Sequence, residues 1–252
     1  WVMNPLGYNP EVNLSSDKAG NVYFTTGEDK GNYFLATITK IDGFGFPVWE
    51  KKFGKGVGEK IQAGAKGNLF VSIDITGNDF WFEGNNYNFD DFLLAKFSEN
   101  GEIKWSKPMN GIMDFDIAMS QEGEHLIAGD FFMPLIINNL QISPRKDTDA
   151  FLMKFDIDGH LKWYRTINGG EKNYVTAIDI GPDNQPVLGG CFKINADESI
   201  PESKTKYSII AKFDESGNVM WDVAASGLYN VVDLAINNEN KMLKRKIDKI
   251  IL

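Results

Sequence analysis

The chain has 252 residues, of which 42% are hydrophobic and 24% charged, and its formal net charge is −9. This length fits a single all-β domain, so we predict one domain over residues 1–252. Without a clustered basic face, the acidic balance argues against a nucleic-acid partner. No apolar run of about 18 residues is present to span a membrane. The single cysteine, Cys191, excludes an internal disulfide.

Four copies of one motif occur along the chain, and all four have the same internal spacing. Each copy begins with Lys, then an aromatic residue or Ile, then Asp or Ser; Gly follows three positions later and Trp four positions after the Gly. The copies carry Gly45 with Trp49, Gly101 with Trp105, Gly159 with Trp163, and Gly217 with Trp221, and Trp1 opens the chain. The Trp residues are 48, 56, 58 and 58 positions apart, which indicates a repeat architecture.

Each repeat contains four short segments with strand character. An apolar run such as 149–153 leads to the motif Lys. The Asp-x-x-Gly segment is a turn, since Asp accepts hydrogen bonds from its own backbone and Gly adopts positive φ. A strand then ends at Trp, and after a loop come a third run such as 175–180, a second turn and a fourth run such as 187–189. Four strands at this period predict the blades of a β-propeller, with strands a to d from axis to rim.

The strand order at the two ends predicts how the ring closes. Trp1 ends a d strand, four a-b-c-d units follow, and the chain then reaches one more a strand at 231–236. If the C-terminal strands join the N-terminal d strand, the ring has five blades and no exposed sheet edge. The alternative is that the chain is a piece of a larger ring.

The last residues, 241–252, admit two interpretations. Leu243, Ile247, Ile250 and Ile251 form an apolar helical stripe with Lys on the other faces. Such a helix would dock on a partner or on an anionic membrane surface. The interpretation that we prefer is two short strands that close the ring.

The long and divergent connections are predicted to lie on one face of the propeller. In an antiparallel blade the tight a-b and c-d turns emerge on one side, whereas the b-c loops and d-a crossings emerge on the other. Loops on a rigid scaffold are where binding is usually found. The long connections are 77–90, 131–148 and 192–206 between b and c, and 50–60, 106–113, 164–174 and 222–230 between d and a.

The loop at 77–90 is the strongest candidate on this face. Its aromatic residues stand among Asn and Gly, which suits a carbohydrate platform or a protein hot spot. We interpret Phe80 and Phe82 as strand residues that pack between blades. The predicted binding residues are Trp81, Tyr87, Phe89, Phe132, Tyr164 and Tyr174.

Signals for catalysis are weak, and we predict no enzyme and no cofactor. His125 and His160 are expected to be solvated turn residues, and neither has metal-ligand spacing. The segment Gly54 to Gly58 has the composition of a phosphate loop, but no helix signal follows it. Paired aspartates such as Asp90 and Asp91 fit strand starts and turns better than a calcium loop.

The segment from Asp149 through Gly159 to Trp163, followed by Asn168-Gly169-Gly170 and Gly189-Gly190-Cys191-Phe192, resembles the bacterial β-propeller repeat called SBBP. The resemblance extends from Trp1 to about residue 240 and fails in the tail. It implies a secreted or cell-surface protein with a non-catalytic propeller. The Asp-x-x-Gly-x-x-x-Trp pattern is also similar to the Trp-docking repeat of quinoprotein dehydrogenases, which implies that each Trp packs between successive blades.

Together these patterns predict a binding or scaffolding propeller of a bacterial surface or envelope assembly. We expect export to the periplasm or outer membrane of a Gram-negative bacterium, and the start at Trp rather than Met fits a removed signal peptide. The expected partner is an envelope or surface protein that binds the loop face. A glycan-binding propeller is the first alternative, and a propeller-type hydrolase or lyase is the second.

Overall fold

The computed structural model describes residues 12–64, 66–76, 80–82, 84–87, 92–137, 139–145, 148–167, 173–191, 207–226, 233–236 and 242–245. These residues form antiparallel strands and turns. In the part of the chain that the structure describes, no helical segment has the length and apolarity needed to cross a bilayer. The chain groups into two compact units, Trp1–Pro108 and Met109–Leu252. The predictions of a single domain over residues 1–252 and of a closed five-bladed ring stay predictions.

The first unit contains two blades with the predicted strand order. Its first blade is the meander β1-β2-β3 with the first part of β4, and its second is the rest of β4 with β5, β8 and the start of β9. A hairpin, β6-β7, stands between β5 and β8. The strands are β1 (Asn13–Ser16), β2 (Val22–Asp29), β3 (Phe34–Ile41), β4 (Pro47–Ala63), β5 (Leu69–Ile75), β6 (Phe80–Phe82), β7 (Asn85–Tyr87), β8 (Phe92–Phe97) and β9 (Ile103–Met119).

The second unit contains two further blades and a strand pair. The third blade is the end of β9 with β10, β12 and β13, the fourth is β14-β15-β16-β17, and β18 pairs with β19. The prediction of an all-β propeller of four-stranded blades is therefore confirmed. The strands are β10 (His125–Ile137), β11 (Leu140–Ile142), β12 (Asp149–Phe155), β13 (Leu161–Ile167), β14 (Tyr174–Ile180), β15 (Pro186–Cys191), β16 (Tyr207–Phe213), β17 (Val219–Ser226), β18 (Asp233–Ile236) and β19 (Met242–Arg245).

Two of the predicted d-a loops are wrong. Residues 50–60 and 106–113 lie inside the continuous strands β4 and β9. In β4, Lys55 still pairs with β3 whereas Gly56 already pairs with β5. The glycines of this stretch are needed for close packing, because a side chain on Gly58 would collide with the buried Thr25 of the first blade.

The tight turns are confirmed at both predicted positions of each complete blade. In every one, the first residue donates its N–H to the carbonyl oxygen four residues later, and the fourth residue donates back to the carbonyl of the first. The fourth residue has positive φ, as a type I turn with a G1 bulge requires. This residue is Gly20, Gly67, Gly123 or Asn184 in the a-b turns and Gly45, Gly101, Gly159 or Gly217 in the c-d turns.

Each unit has its own hydrophobic core. In the first, Leu93, Ala95 and Phe97 of β8 pack with Ile73 of β5 and with Phe82. In the second, one cluster includes alternate residues of the b and c strands. These are Leu126, Ala128, Ala150 and Leu152 of the third blade, with Leu188, Ile209, Ala211 and Phe213 of the fourth.

Aspartates on the innermost strands link successive blades of the second unit. Asp116 accepts a hydrogen bond from the N–H of Ile178 at 3.0 Å, and Asp179 accepts one from Ile236 at 2.6 Å. The same kind of hydrogen bond therefore joins the third blade to the fourth and the fourth blade to β18.

Residues 242–245 form a strand, so the helical interpretation is wrong there; residue 241 and residues 246–252 lie outside the described residues.

Candidate functional site

The β6-β7 hairpin packs closely on β4. A Cβ added to Gly54 would lie 2.9 Å from Cδ2 of Phe80 and 3.0 Å from the backbone N of Trp81, so only glycine lets the hairpin approach. Phe80 and Phe82 are 0% and 2% exposed. The Phe82 ring is centred 5.1 Å from that of Phe53. The interpretation of Phe80 and Phe82 as packed strand residues is confirmed.

Trp81 lies on the opposite face of this hairpin from the two phenylalanines. Its side chain is 60% exposed, and it pairs across the hairpin with the exposed Asn86. Tyr87 pairs with Phe80, is half-buried, and contacts that ring at a centroid distance of 6.4 Å. The structure therefore separates Trp81 from Tyr87. Phe89, the third predicted residue of this loop, lies outside the described residues.

The second unit carries the other predicted binding residues. Phe132 and Met133, each 49% exposed, lie where the pairing of β10 with β9 is interrupted between Phe131 and Ile136. The bulge passes over Gly111, whose added Cβ would collide with the carbonyl of Pro134. Tyr164 on β13 is 38% exposed and Tyr174 on β14 is half-buried.

Two repeat tryptophans bind the c-d turn of the following repeat, a feature that we call the Trp–turn contact. Nε1 of Trp49 donates to the carbonyl of Glu99 at 3.0 Å, and Nε1 of Trp163 donates to that of Glu215 at 2.8 Å. The indoles cover the turn glycines, since a Cβ on Gly217 would lie 2.8 Å from Cζ3 of Trp163. Both indoles are half-buried.

The remaining repeat tryptophans are Trp105 and Trp221. Trp105 is half-buried, with its ring centred 5.9 Å from that of Phe70. Trp221 is 39% exposed, and its Nε1 has no acceptor among the described residues. Within the described ranges, Trp221 thus has the position of a repeat Trp without a hydrogen bond to a turn.

A cation two residues after the Trp completes the contact. Arg165 donates from Nε to the carbonyl of Gly217 at 3.0 Å and from Nη2 to that of Ser216 at 2.6 Å. Its guanidinium also lies over the Trp163 ring, 5.5 Å from the centroid. Lys51 holds the same position after Trp49, and its Cε would lie 3.0 Å from a Cβ on Gly101.

The motif Lys has a structural role that the sequence analysis did not assign. Lys154, 1% exposed, lies 2.7 Å from Glu124 in the a-b turn of its own blade, and Lys212 lies 2.6 Å from Asp183 in the equivalent turn. Burial alone would raise the pKa of Glu124, but hydrogen bonds from Lys154, Lys162 and Asn184 outweigh it and lower the pKa to about 2. The recurrence of an acid in both a-b turns was the signal available in the sequence.

One carboxylate pair has unusual electrostatics. Asp114 on β9 pairs directly with Asp130 on β10, which places their Cβ atoms about 5 Å apart. Asp130 is 2% exposed, and its Oδ2 has no hydrogen-bond partner within the described ranges. Burial first, and then the negative charge of Asp114, raise the pKa of Asp130 to about 7. Asp149, which starts β12, is also buried, and its Oδ1 has no hydrogen-bond partner among the described residues.

The two histidines have structural surroundings rather than those of a metal or catalytic site. His125 is fully buried at the start of β10, with Nδ1 3.2 Å from the carbonyl of Asp156, so the expectation of a solvated residue is wrong for it. His160 is exposed and bonds to Asp156. Within the described ranges, no three His, Cys, Asp or Glu side chains are arranged to hold a metal ion.

Comparisons with known proteins add a weak likeness of fold. No family model matches the chain, and no curated protein matches it. Among solved structures, the chain is similar to the propeller of Dos1, at 8% identity over 92% of this chain and 65% of that one, with a TM-score of 0.39. An ulvan lyase of polysaccharide lyase family PL25 is similar at 8% identity, over 88% of this chain and 59% of the lyase, with a TM-score of 0.44.

A third similar structure is Chaetomium thermophilum Sqt1 bound to the N-terminus of the ribosomal protein L10. It is 12% identical over 90% of this chain and 78% of Sqt1, with a TM-score of 0.36. The chain spans less than two thirds of the length of the first two structures. At these scores the likenesses carry no argument about function.

Proposed function

We propose that this protein is a non-catalytic binding or scaffolding propeller that holds a protein partner through Trp81 and the surface around the β6-β7 hairpin. The observation that carries the proposal is the contrast within three consecutive residues. Trp81 is 60% exposed, whereas Phe80 and Phe82 on either side of it are buried.

The buried neighbours hold the exposed indole in place before a partner arrives. The rings of Phe80 and Phe82 are stacked 6.0 Å apart, and the hairpin backbone rests on Gly54. An anchor that is already ordered loses little conformational entropy on binding. Tryptophan is also among the residues that contribute most to protein interfaces.

The proposed setting is a bacterial surface or envelope assembly. The resemblance of the repeats to secreted SBBP propellers supports it, and the net charge of −9 fits a soluble surface module. The partner is then a surface or envelope protein of a Gram-negative bacterium. A glycan is the alternative ligand, because an exposed indole also stacks on sugar rings.

The test uses purified wild type, Trp81→Ser and the matched control Met113→Ser, which alters another exposed apolar side chain. Each variant is bait for capture from a native envelope extract, followed by mass spectrometry. A protein held by wild type and control but weakened at least about tenfold by Trp81→Ser supports the proposal. Equal capture by all three baits contradicts it. If no protein is captured, but wild type binds a polysaccharide array and Trp81→Ser does not, the glycan-binding alternative is indicated.

The Asp114 and Asp130 pair is the feature that favours the alternative of a hydrolase or lyase. A carboxyl group with a pKa near 7 beside a second carboxylate suits general acid–base chemistry. Incubation with a panel of anionic and neutral polysaccharides, followed by chromatography of the products, tests this candidate. Cleavage that is lost in both Asp114→Asn and Asp130→Asn would favour an enzyme over the binding module.

A further inference from the structure

Exposed apolar side chains gather where the pairing of β9 with β10 is interrupted. On β9, Met113 lies between the partners of Asp130 and Phe131 and is passed over by the ladder. On β10, the ladder continues after Phe131 only at Ile136. The side chains exposed there, which we call the bulge surface, are Met113 (50%), Phe132 (49%), Met133 (49%) and Ile136 (40%).

The bulge surface is held in shape by buried neighbours. Phe131, Leu135 and Ile137 stand next to the exposed residues along β10, and all three are buried. Leu135 and Ile137 also pair with β11, at Ile142 and Leu140. Exposed apolar side chains grouped in this way are typical of interaction sites. Because these contacts already order the backbone beneath them, binding costs little conformational entropy.

Two carboxylates border the bulge surface. Asp114 is exposed, directly follows Met113 and pairs with Asp130 across the sheet, so the two side chains share one face. Asp130 is 2% exposed, and its Oδ2 has no hydrogen-bond partner among the described residues. Burial and mutual repulsion both disfavour the two negative charges. A cationic group placed between the carboxylates relieves both costs.

The stretch of chain that forms the bulge surface is acidic. From Met109 to Pro144 the sequence contains no Lys or Arg. Complementary charge guides the choice of partner, so this surface favours a basic partner over an acidic one. It also disfavours a membrane, because anionic lipid headgroups would be repelled. The acidic residues of the stretch are Asp114, Asp116, Glu122, Glu124 and Asp130.

We propose that the bulge surface and the Asp114 and Asp130 pair together bind a segment of a protein partner in which a Lys or Arg lies among apolar residues. The cationic group of that segment lies between the two carboxylates and donates to both. The apolar side chains beside it pack on Phe132 and Met133, and a flexible thioether adapts to their shape. The inference is independent of the binding role of Trp81 and gives the protein a second binding surface.

Selection from a library of random short peptides displayed on phage tests the proposal. The full wild-type chain is the bait, after removal of the peptides that bind Phe132→Ser. The enriched peptides should contain Lys or Arg beside apolar residues. Their dissociation constants, measured by fluorescence anisotropy, should rise at least about tenfold for Met133→Ser and for Asp114→Asn. Binding should also weaken as salt is added, because Asp114 is exposed.

Two control variants alter exposed apolar side chains elsewhere. Ile157→Ser changes a residue that is 48% exposed in the c-d turn of the third blade, and it should bind the peptides as wild type does. Trp81→Ser should do the same, which separates this surface from the one around the β6-β7 hairpin. Circular dichroism checks the fold of every variant.

A charge reversal distinguishes a binding role of Asp114 from a purely structural one. Asp114→Lys supplies the missing cation from within the chain, directly opposite Asp130. This variant should lose at least about tenfold in peptide affinity and, at pH 8, should melt at a higher temperature than wild type. Damage to the fold would lower both quantities.

Three results of the selection would overturn the proposal. The first is that no peptide is enriched on wild type relative to Phe132→Ser. The second is that the enriched peptides carry no basic residue. The third is that Asp114→Asn and Met133→Ser bind them as tightly as wild type. Binding to vesicles of phosphatidylcholine and phosphatidylglycerol that is lost in Phe132→Ser, without any enriched peptide, would instead identify a membrane-docking surface.

Discussion

The ammonium of Lys154, only 1% exposed, lies 2.7 Å from the carboxylate of Glu124. The same carboxylate accepts hydrogen bonds from Lys162 and from the amide of Asn184, the residue with positive φ in the a-b turn of the next blade. One acidic side chain therefore neutralises a buried cation and joins the turns of two successive blades.

We expect Glu124→Gln to destabilise the protein at neutral pH by about 3 kcal/mol, because Lys154 would keep a buried charge without its counterion. The pKa of Glu124 is lowered from 4.5 to about 2, so its contribution to stability is present above pH 4.5 and is lost as the pH falls towards 2. Urea unfolding of both proteins from pH 7 to pH 2.5 measures this. The difference in unfolding free energy should shrink below pH 4.5, and a difference that is constant with pH would contradict the assignment.

Trp163→Ala should lower the unfolding free energy by about 2–3 kcal/mol, less than the 3–5 of a fully buried aromatic, because the indole is half-covered by the Gly217 turn. Trp221→Ala is the matched control, since Trp221 holds the same repeat position, is 39% exposed, and donates to no turn carbonyl within the described ranges. Its melting temperature should fall much less than that of Trp163→Ala. Equal losses in the two variants would show that the turn contributes nothing.

Asp130→Asn should stabilise the protein above neutral pH. The pKa of Asp130 is raised from 3.8 to about 7, so the folded state binds the proton more tightly than the unfolded state between these values. Stability therefore falls as the pH rises through this window, and the cost is complete above pH 7. Removing the charge should recover more than about 1 kcal/mol at pH 8.5 and little at pH 4. The neighbouring strands carry the acidic residues Asp114 and Asp116 on β9 and Asp149 on β12. Asp149→Asn tests whether the effect belongs to Asp130.

Gly54→Ala should displace the β6-β7 hairpin, because the new methyl group would lie 3.0 Å from the backbone at both Phe80 Cα and Trp81 N. The expected cost is about 1–3 kcal/mol. Tryptophan fluorescence should also change, since the hairpin carries Trp81. Gly43→Ala is the control, as its Cβ would meet no atom closer than 3.5 Å. An unchanged melting temperature for Gly54→Ala would mean that the hairpin does not rest on β4.

The turns and strands were predictable because their determinants are local. Asp42 and Gly45 lie within one turn, so a short sequence window contains all that the turn needs. The strand through Gly54 and Gly58 was predicted to be a loop. These glycines are required by close packing against Phe80 and Thr25, which are distant in sequence. His125 was misplaced for the same reason, since its partner is a backbone carbonyl of another turn.

The candidate site was predictable only in part. An aromatic residue among Asn and Gly pointed to Trp81, but the alternation that leaves Tyr87 half-buried beside Phe80 needs the register of the hairpin. The carboxylate pair needed the register of β9 with β10, because only that register shows that Asp114 and Asp130 lie directly opposite each other.

β4 changes its pairing partner between two adjacent residues, and this couples the first blade to the second. Lys55 belongs to the ladder with β3 and the adjacent Gly56 to the ladder with β5, so the backbone cannot leave one sheet without straining the other. In hydrogen exchange, amides of these two blades should therefore open as a single cooperative unit. A protease cut near residue 55 would release both blades at once, whereas a cut in the segment that follows β5 would leave that unit closed.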